Sequence, residues 1–317
     1  VIENWELLPE GFYWRETAGV VTDDQDNVYV FNRGDHPMIV LDMNGNFIKS
    51  WGEDIFTRPH GVSQGPDNTL YCTDDGDHTV RQCTLDGKVL LTLGRPGIAS
   101  PPFSGVPFSR CTHTATDPNT GDIYVSDGYA NARVHKFSPD GKLLFSWGSP
   151  GVGESEFNIV HNIATDKDGY VYVCDRENHR IQIFNRDGTF ETMWSNVHRP
   201  CAIQIDEDQN IYVGELGWAT SVNKDMPNIG PRVSVLNRNG RVLQRIGTAG
   251  YGLNPGQFIA PHGITLDSKK NIYVAELPHT AVANYIKLGY FERDLENISH
   301  HSKPPNNLRS FQKLQKI

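Results

Sequence analysis

Six short segments decide the fold: NVYVFNRG at 27–34, TLYCTDDG at 69–76, DIYVSDGY at 122–129, YVYVCDRE at 170–177, NIYVGELG at 210–217 and NIYVAELP at 271–278. Each carries an apolar-Tyr-apolar run of the kind that forms a buried strand. Around each lies the same unit: a small residue or His, an apolar pair, an Asp, a turn, the Tyr strand, a polar loop and two further strands. The last two strands are joined by Asn44-Gly45, Asp86-Gly87, Asp140-Gly141, Asp187-Gly188 and Asn239-Gly240. Asn-Gly and Asp-Gly between alternating apolar residues are strong hairpin signals. Six units of about one blade each predict an all-β chain folded as a six-bladed β-propeller. The sixth unit shows no fourth strand after Tyr285-Ile286, and a propeller must close to remove its sheet edges. The segment around Trp5 to Leu8 is therefore expected to supply an N-terminal closing strand. Residues 1–290 form one propeller in this reading, and 291–317 a C-terminal tail on the surface.

Composition agrees with many short strands. The 317 residues include 30 Gly, 19 Pro, 14 Phe and 12 Tyr but only four Met. The formal charge of −9 and the lack of Lys/Arg clusters argue against nucleic acid as a partner. No run of 18 apolar residues suggests a membrane span. Five cysteines (Cys72, Cys83, Cys111, Cys174, Cys201) at irregular spacing read as free thiols, which favours a cytoplasmic setting. Because the chain begins with Val1, a removed leader for export stays open as the alternative. A monomer is expected.

The residue that opens the innermost strand of each unit faces the central channel, and the six occupants are read as Ala18, His60, His113, His161, Cys201 and His262. His60, His161 and His262 follow one another at intervals of 101 residues, on alternate blades, so they are expected about a three-fold arrangement on the axis. Each alone could cap a strand by hydrogen bonding. As a trio in phase they read as a facial metal site, with Zn2+ favoured by neutral imidazole and an open coordination position by the three-ligand count. His113 and Cys201 are possible pocket residues.

The segment Asp175-Arg176-Glu177-Asn178-His179-Arg180-Ile181 resembles the NHL signature, so the repeats are read as NHL-type. Arg58-Pro59-His60-Gly61, Val160-His161-Asn162 and Ala260-Pro261-His262-Gly263 resemble the three zinc-binding segments of the peptidylglycine α-hydroxyglycine amidating lyase family. Phe31-Asn32-Arg33-Gly34 resembles its catalytic arginine segment, 126–133 its tyrosine segment, and Asp175-Arg176-Glu177-Asn178 its second arginine segment. The likeness covers roughly residues 15–290 with the motifs in order. It implies a zinc-dependent lyase that cleaves the C–N bond of a small α-hydroxy-amide, releasing an aldehyde or keto acid and an amide. Tyr129 would be the base, Arg33 the carboxylate clamp and Arg176 a second carboxylate contact. Two departures stand out. Gly263 replaces the family's calcium-binding Asp, which puts structural Ca2+ in doubt, and Cys111 faces Ala130 where the family has a disulfide.

Two other readings stay open. One is a metal-dependent hydrolase, lactonase or lyase acting on another small hydroxy acid; the other is a noncatalytic NHL interaction propeller, since propellers host many functions. For the cysteines the expectation is definite: thiol titration of the denatured protein should count five free thiols, and a count of three or fewer would contradict it.

Overall fold

The computed structural model describes residues 1–218, 220–223, 226–247, 251–287 and 308–316. Its strands form a six-bladed β-propeller. Blades one to five are four-stranded antiparallel sheets whose strands run outward in chain order, and their innermost strands are Thr17–Thr22, Pro59–Gly65, His113–Thr116, Val160–Thr165 and Pro200–Ile205. The sixth opens with Pro261–Leu266 and Ile272–Glu276.

The Tyr of the second strand explains why the repeat keeps an Asp six residues earlier, or seven in blade three. Tyr29 donates to Asp23 (3.2 Å), Tyr172 to Asp166 (3.1 Å) and Tyr273 to Asp267 (3.1 Å), with Tyr124–Asp117 and Tyr212–Asp206 completing the set. These buried phenols thus find the partner that a buried hydroxyl needs. Blade two lacks the latch, because Gly65 stands where the Asp would be. The blades are sealed to one another by the hairpin glycines. Gly87 (φ +88°) lies flat on Trp51 of blade one and Gly188 (φ +75°) on Trp147 of blade three, where a Cβ would fall within about 3 Å of the indole.

Closure differs from the sequence expectation. The third strand of blade six is Phe311–Leu314, paired with Ile272–Glu276, so this part of the supposed surface tail is built into the sheet. The N-terminus takes the fourth place through a single antiparallel bridge from Ile2 to Lys313, rather than through a strand at Trp5 to Leu8. Trp5 nevertheless packs on Tyr273 and Phe311, and its backbone carbonyl and ring both lie against Gly45. Between the second and third strands of this blade, the helix Pro278–Lys287 docks through Thr280, whose backbone N–H and hydroxyl both donate to Glu16 (2.6 and 3.0 Å). All five cysteines are buried and unpaired. Among the described residues no helix is long and apolar enough to cross a membrane.

The last residue of each second strand is a buried polar group: Asn32, Asp74, Asp127, Asp175, Glu215 or Glu276, all fully buried. It accepts the backbone N–H groups of the loop entering its own inner strand: Asp74 from Thr57 (2.5 Å) and Arg58 (3.0 Å), Asp175 from Asn158 (2.7 Å), Glu276 from Ile259 (2.7 Å) and Ala260 (3.0 Å). Removing the carboxylate leaves those donors buried and unmet. Glu276→Ala should therefore cost about 2–5 kcal/mol in denaturant unfolding, and Glu276→Gln, which keeps an acceptor, clearly less. Equal effects would show that the side chain acts by volume alone.

Candidate metal centre

His60, His161 and His262 come from the starts of the inner strands of blades two, four and six. Their imidazoles meet on the axis. Ring centroids are 5.0 Å apart for His60–His161 and 4.7 Å for each of the other two pairs, and one ligand atom from each lies within 4.8 Å of the others. All three are buried.

The reason they point inward is local. Each sits at a bulge in its strand pairing, between residues that face the second strand directly or beside a gap in register. The bulge turns the side chain out of the sheet and toward the axis. Each Nδ1 then bonds a backbone carbonyl of the next blade: Thr112 (2.7 Å) for His60, Cys201 (2.7 Å) for His161 and Ala18 (2.6 Å) for His262. A carbonyl can only accept, so Nδ1 carries the hydrogen and Nε2 presents its lone pair to the centre. Burial lowers all three pKa values well below the ordinary histidine range, helped by the other two imidazoles at His60, by Arg33 at His262 and by Arg176 at His161. The imidazoles are therefore neutral, as metal ligation requires.

His262 supplies the most telling atom: its Nε2 is buried without a hydrogen-bond partner among the described residues. An unmet buried lone pair is costly, and a cation shared with the Nε2 atoms of His60 and His161 would satisfy it. The donor set fits a metal ion. Three nitrogens with carbonyl-oriented second nitrogens make a site with room for a further ligand.

Tyr129 stands at this centre, its hydroxyl 3.0 Å from His60 Nε2 and 3.1 Å from His161 Nε2. It projects from the loop after Ile123–Asp127. Arg33 extends from the end of the second strand of blade one, donates through Nε to the Pro59 carbonyl (2.8 Å) and pairs with Glu16 (3.4 Å). Its side chain is 9% exposed, and its Nη2 is buried without a partner among the described residues. Arg176 lies over the Tyr129 ring (5.7 Å) and donates to Glu177 (2.8 Å). Arg199 of blade five also grips Glu177, and although burial alone would raise that carboxyl, the two guanidinium groups pull it down to about 2.

One assignment changes. Register pairs His113 with Ser126 as it pairs Gly61 with Thr73, so the residue equivalent to His60 in blade three is Thr112. His113 is one position on, its Nδ1 bonded to the Thr114 carbonyl (2.8 Å), lining a channel of about 570 Å3 with Val62, Ser63 and Gln204 on the side away from the strand starts. Cys201 does occupy the phase, with its thiol against the His161 ring (3.4 Å to Nδ1), and burial pushes its pKa up to about 11. Arg110 was missed. Its guanidinium lies 4.6 Å from the centre of the Tyr129 ring, and no repeat position marks it in the sequence.

The NHL repeat model matches residues 157–184, and the blade-four signature can be read in physical terms. Asn178 and Arg180 both donate to Asp175 and to carbonyls of residues 151–156, which fastens the loop before His161. The chain is 31% identical over 258 residues to peptidyl-alpha-hydroxyglycine alpha-amidating lyase 1 of Drosophila melanogaster, covering 74% of this chain but 46% of that protein. Among solved structures, a streptogramin B lyase superposes with a TM-score of 0.59 over 99% of this chain and 86% of its own at 12% identity, a likeness of fold alone. NHL repeat-containing protein 3 of Mus musculus is 30% identical over 281 residues, 82% of this chain and 76% of the relative. A match over most of both lengths, on blades that repeat one hydrogen-bonded plan, places the chain in the NHL-repeat β-propeller family.

Proposed function

We propose that this propeller is a zinc-dependent lyase that cleaves the C–N bond of a small α-hydroxy-amide. The observation that carries the reading is the convergence of three neutral, carbonyl-oriented imidazoles with the Tyr129 hydroxyl between two of them. The similarity to the fly amidating lyase supports it.

Such a carbinolamide falls apart when its hydroxyl loses a proton, the C–O bond becomes a carbonyl and the C–N electrons leave with nitrogen, which takes up a proton. His60, His161 and His262 would hold a zinc ion, which when bound polarises the substrate hydroxyl and eases its deprotonation. Tyr129 is placed to accept that proton and return it to the departing nitrogen, the two halves of general acid–base catalysis. To accept a proton Tyr129 must start as the phenolate, and Arg110 and Arg176, against its ring, offset the negative charge that its oxygen carries before taking the proton and regains on giving it to nitrogen. Arg33, fixed by Glu16 and the Pro59 carbonyl, has Nη2 left to bind the substrate carboxylate and hold it in one orientation.

The test is release of an aldehyde acid from α-hydroxyglycine derivatives, with ureidoglycolate as a second carbinolamide, by zinc-loaded protein. Tyr129→Phe should lower kcat about 10²–10⁴-fold with the metal retained. Arg33→Ala should chiefly raise KM. Full activity in the Tyr129→Phe variant would reduce Tyr129 to a packing ring, and no turnover of any carbinolamide by the loaded protein would overturn the lyase reading.

A further inference from the structure

Beside the metal centre lies a cationic pair that the C–N cleavage scheme does not use for binding. Arg58, two residues before His60, and Arg110, in the loop entering blade three, both pair with Asp75. Asp75 is fully buried, and both guanidinium groups meet the same oxygen, Oδ2, while Oδ1 has no hydrogen-bond partner among the described residues. A pair built only to lock two blades together would use the two oxygens in a bidentate fork. Here two cations share one carboxylate oxygen and remain about 40% exposed (40% and 42%), so part of each five-donor guanidinium faces solvent.

Their position relates them to the reacting atoms. Arg58 lines a cavity of about 340 Å3 together with Arg15, Glu16, Arg33 and Thr280, and Arg33 brings to it a side chain more than nine-tenths buried with Nη2 unpartnered. Arg110 lies on the ring of Tyr129, whose hydroxyl touches the histidine trio. In a chain of net charge −9, an anion gains no long-range attraction, so its recognition must come from such a local cluster.

We propose that the site takes a substrate with two anionic groups: one carboxylate on Arg33, and a second carboxylate or a phosphate on the Arg58–Arg110 pair. The inference rests on the lyase reading for the role of Arg33. It makes the part of the substrate beyond the hydroxy acid acidic, and leaves an uncharged peptidyl group without a partner for the two arginines.

Calorimetric titration of the zinc-loaded protein tests this without turnover, using succinate against butyrate and phosphoglycolate against glycolate. At least one member carrying the second charge should bind about tenfold or more tighter than its control, the gain expected of one further charge-assisted contact. Which pair shows the gain identifies carboxylate or phosphate. In Arg58→Gln the ratio should fall toward one with butyrate and glycolate affinities little changed, and in Arg110→Gln the ratio should fall likewise. Equal affinities within both pairs for the wild-type protein would overturn the proposal whether or not the variants fold, and would leave the lyase reading intact. A preference that survives both substitutions would overturn it as well. Failure of the lyase reading has its own signature, no carbinolamide turnover despite an intact preference for the second charge.

Discussion

The structure depends on a hydrogen bond repeated around the ring: a buried side chain at the end of each second strand accepts the N–H groups of the loop that leads into its own inner strand. Without it that loop would bring unmet donors into the interior. With it, the start of the inner strand is held in one place, and so is the strand's second residue. At Asp74, Asp175 and Glu276 that residue is His60, His161 or His262, two or three positions beyond the captured N–H groups. The carbonyl of the next blade then fixes the ring. Two backbone-directed contacts, one to the loop and one to the imidazole, thus aim three side chains from distant parts of the chain at one point. Preorganisation of this kind is what a metal site or a charge-stabilising site requires.

The order of dependence runs outward. The Asp–Tyr latches and the Gly-on-Trp seams set the spacing of the blades, the blades set the phase of the bulges, and the bulges set the histidines. The arginines are a second tier, each tied to a carboxylate that orients it: Arg33 to Glu16, Arg176 and Arg199 to Glu177, Arg58 and Arg110 to Asp75. The first of these carboxylates, Glu16, is tied in turn to the helix Pro278–Lys287, through Thr280. Closure of the ring therefore bears on the position of Arg33.

Much of this was legible in the sequence because it repeats. The Tyr strands, the Asn-Gly and Asp-Gly turns and the 101-residue interval of the histidines are periodic signals, and periodicity survives without knowledge of tertiary contacts. What broke the period was harder to read. Phe311–Leu314 is separated from its neighbour strand by the helix and a long connection, so nothing local marked it as part of blade six. In blade three the channel-facing position holds Thr112, and the adjacent His113 drew the assignment by one residue, since only the pairing with Ser126 fixes the register. Arg110 against Tyr129 in blade three and Arg33 against Glu16 in blade one are contacts between loops of one blade, at positions that the repeat does not mark.

The central claim is that the three imidazoles are arranged for a metal ion rather than for capping strands. Elemental analysis of protein purified without chelator tests it most directly, combined with zinc K-edge absorption spectroscopy of the same sample. The account predicts one equivalent of a transition metal, zinc foremost, bound by three imidazole nitrogens at about 2.0–2.1 Å, and its loss in His262→Ala. Chelator-free protein that contains no metal and takes up none from added zinc would contradict it.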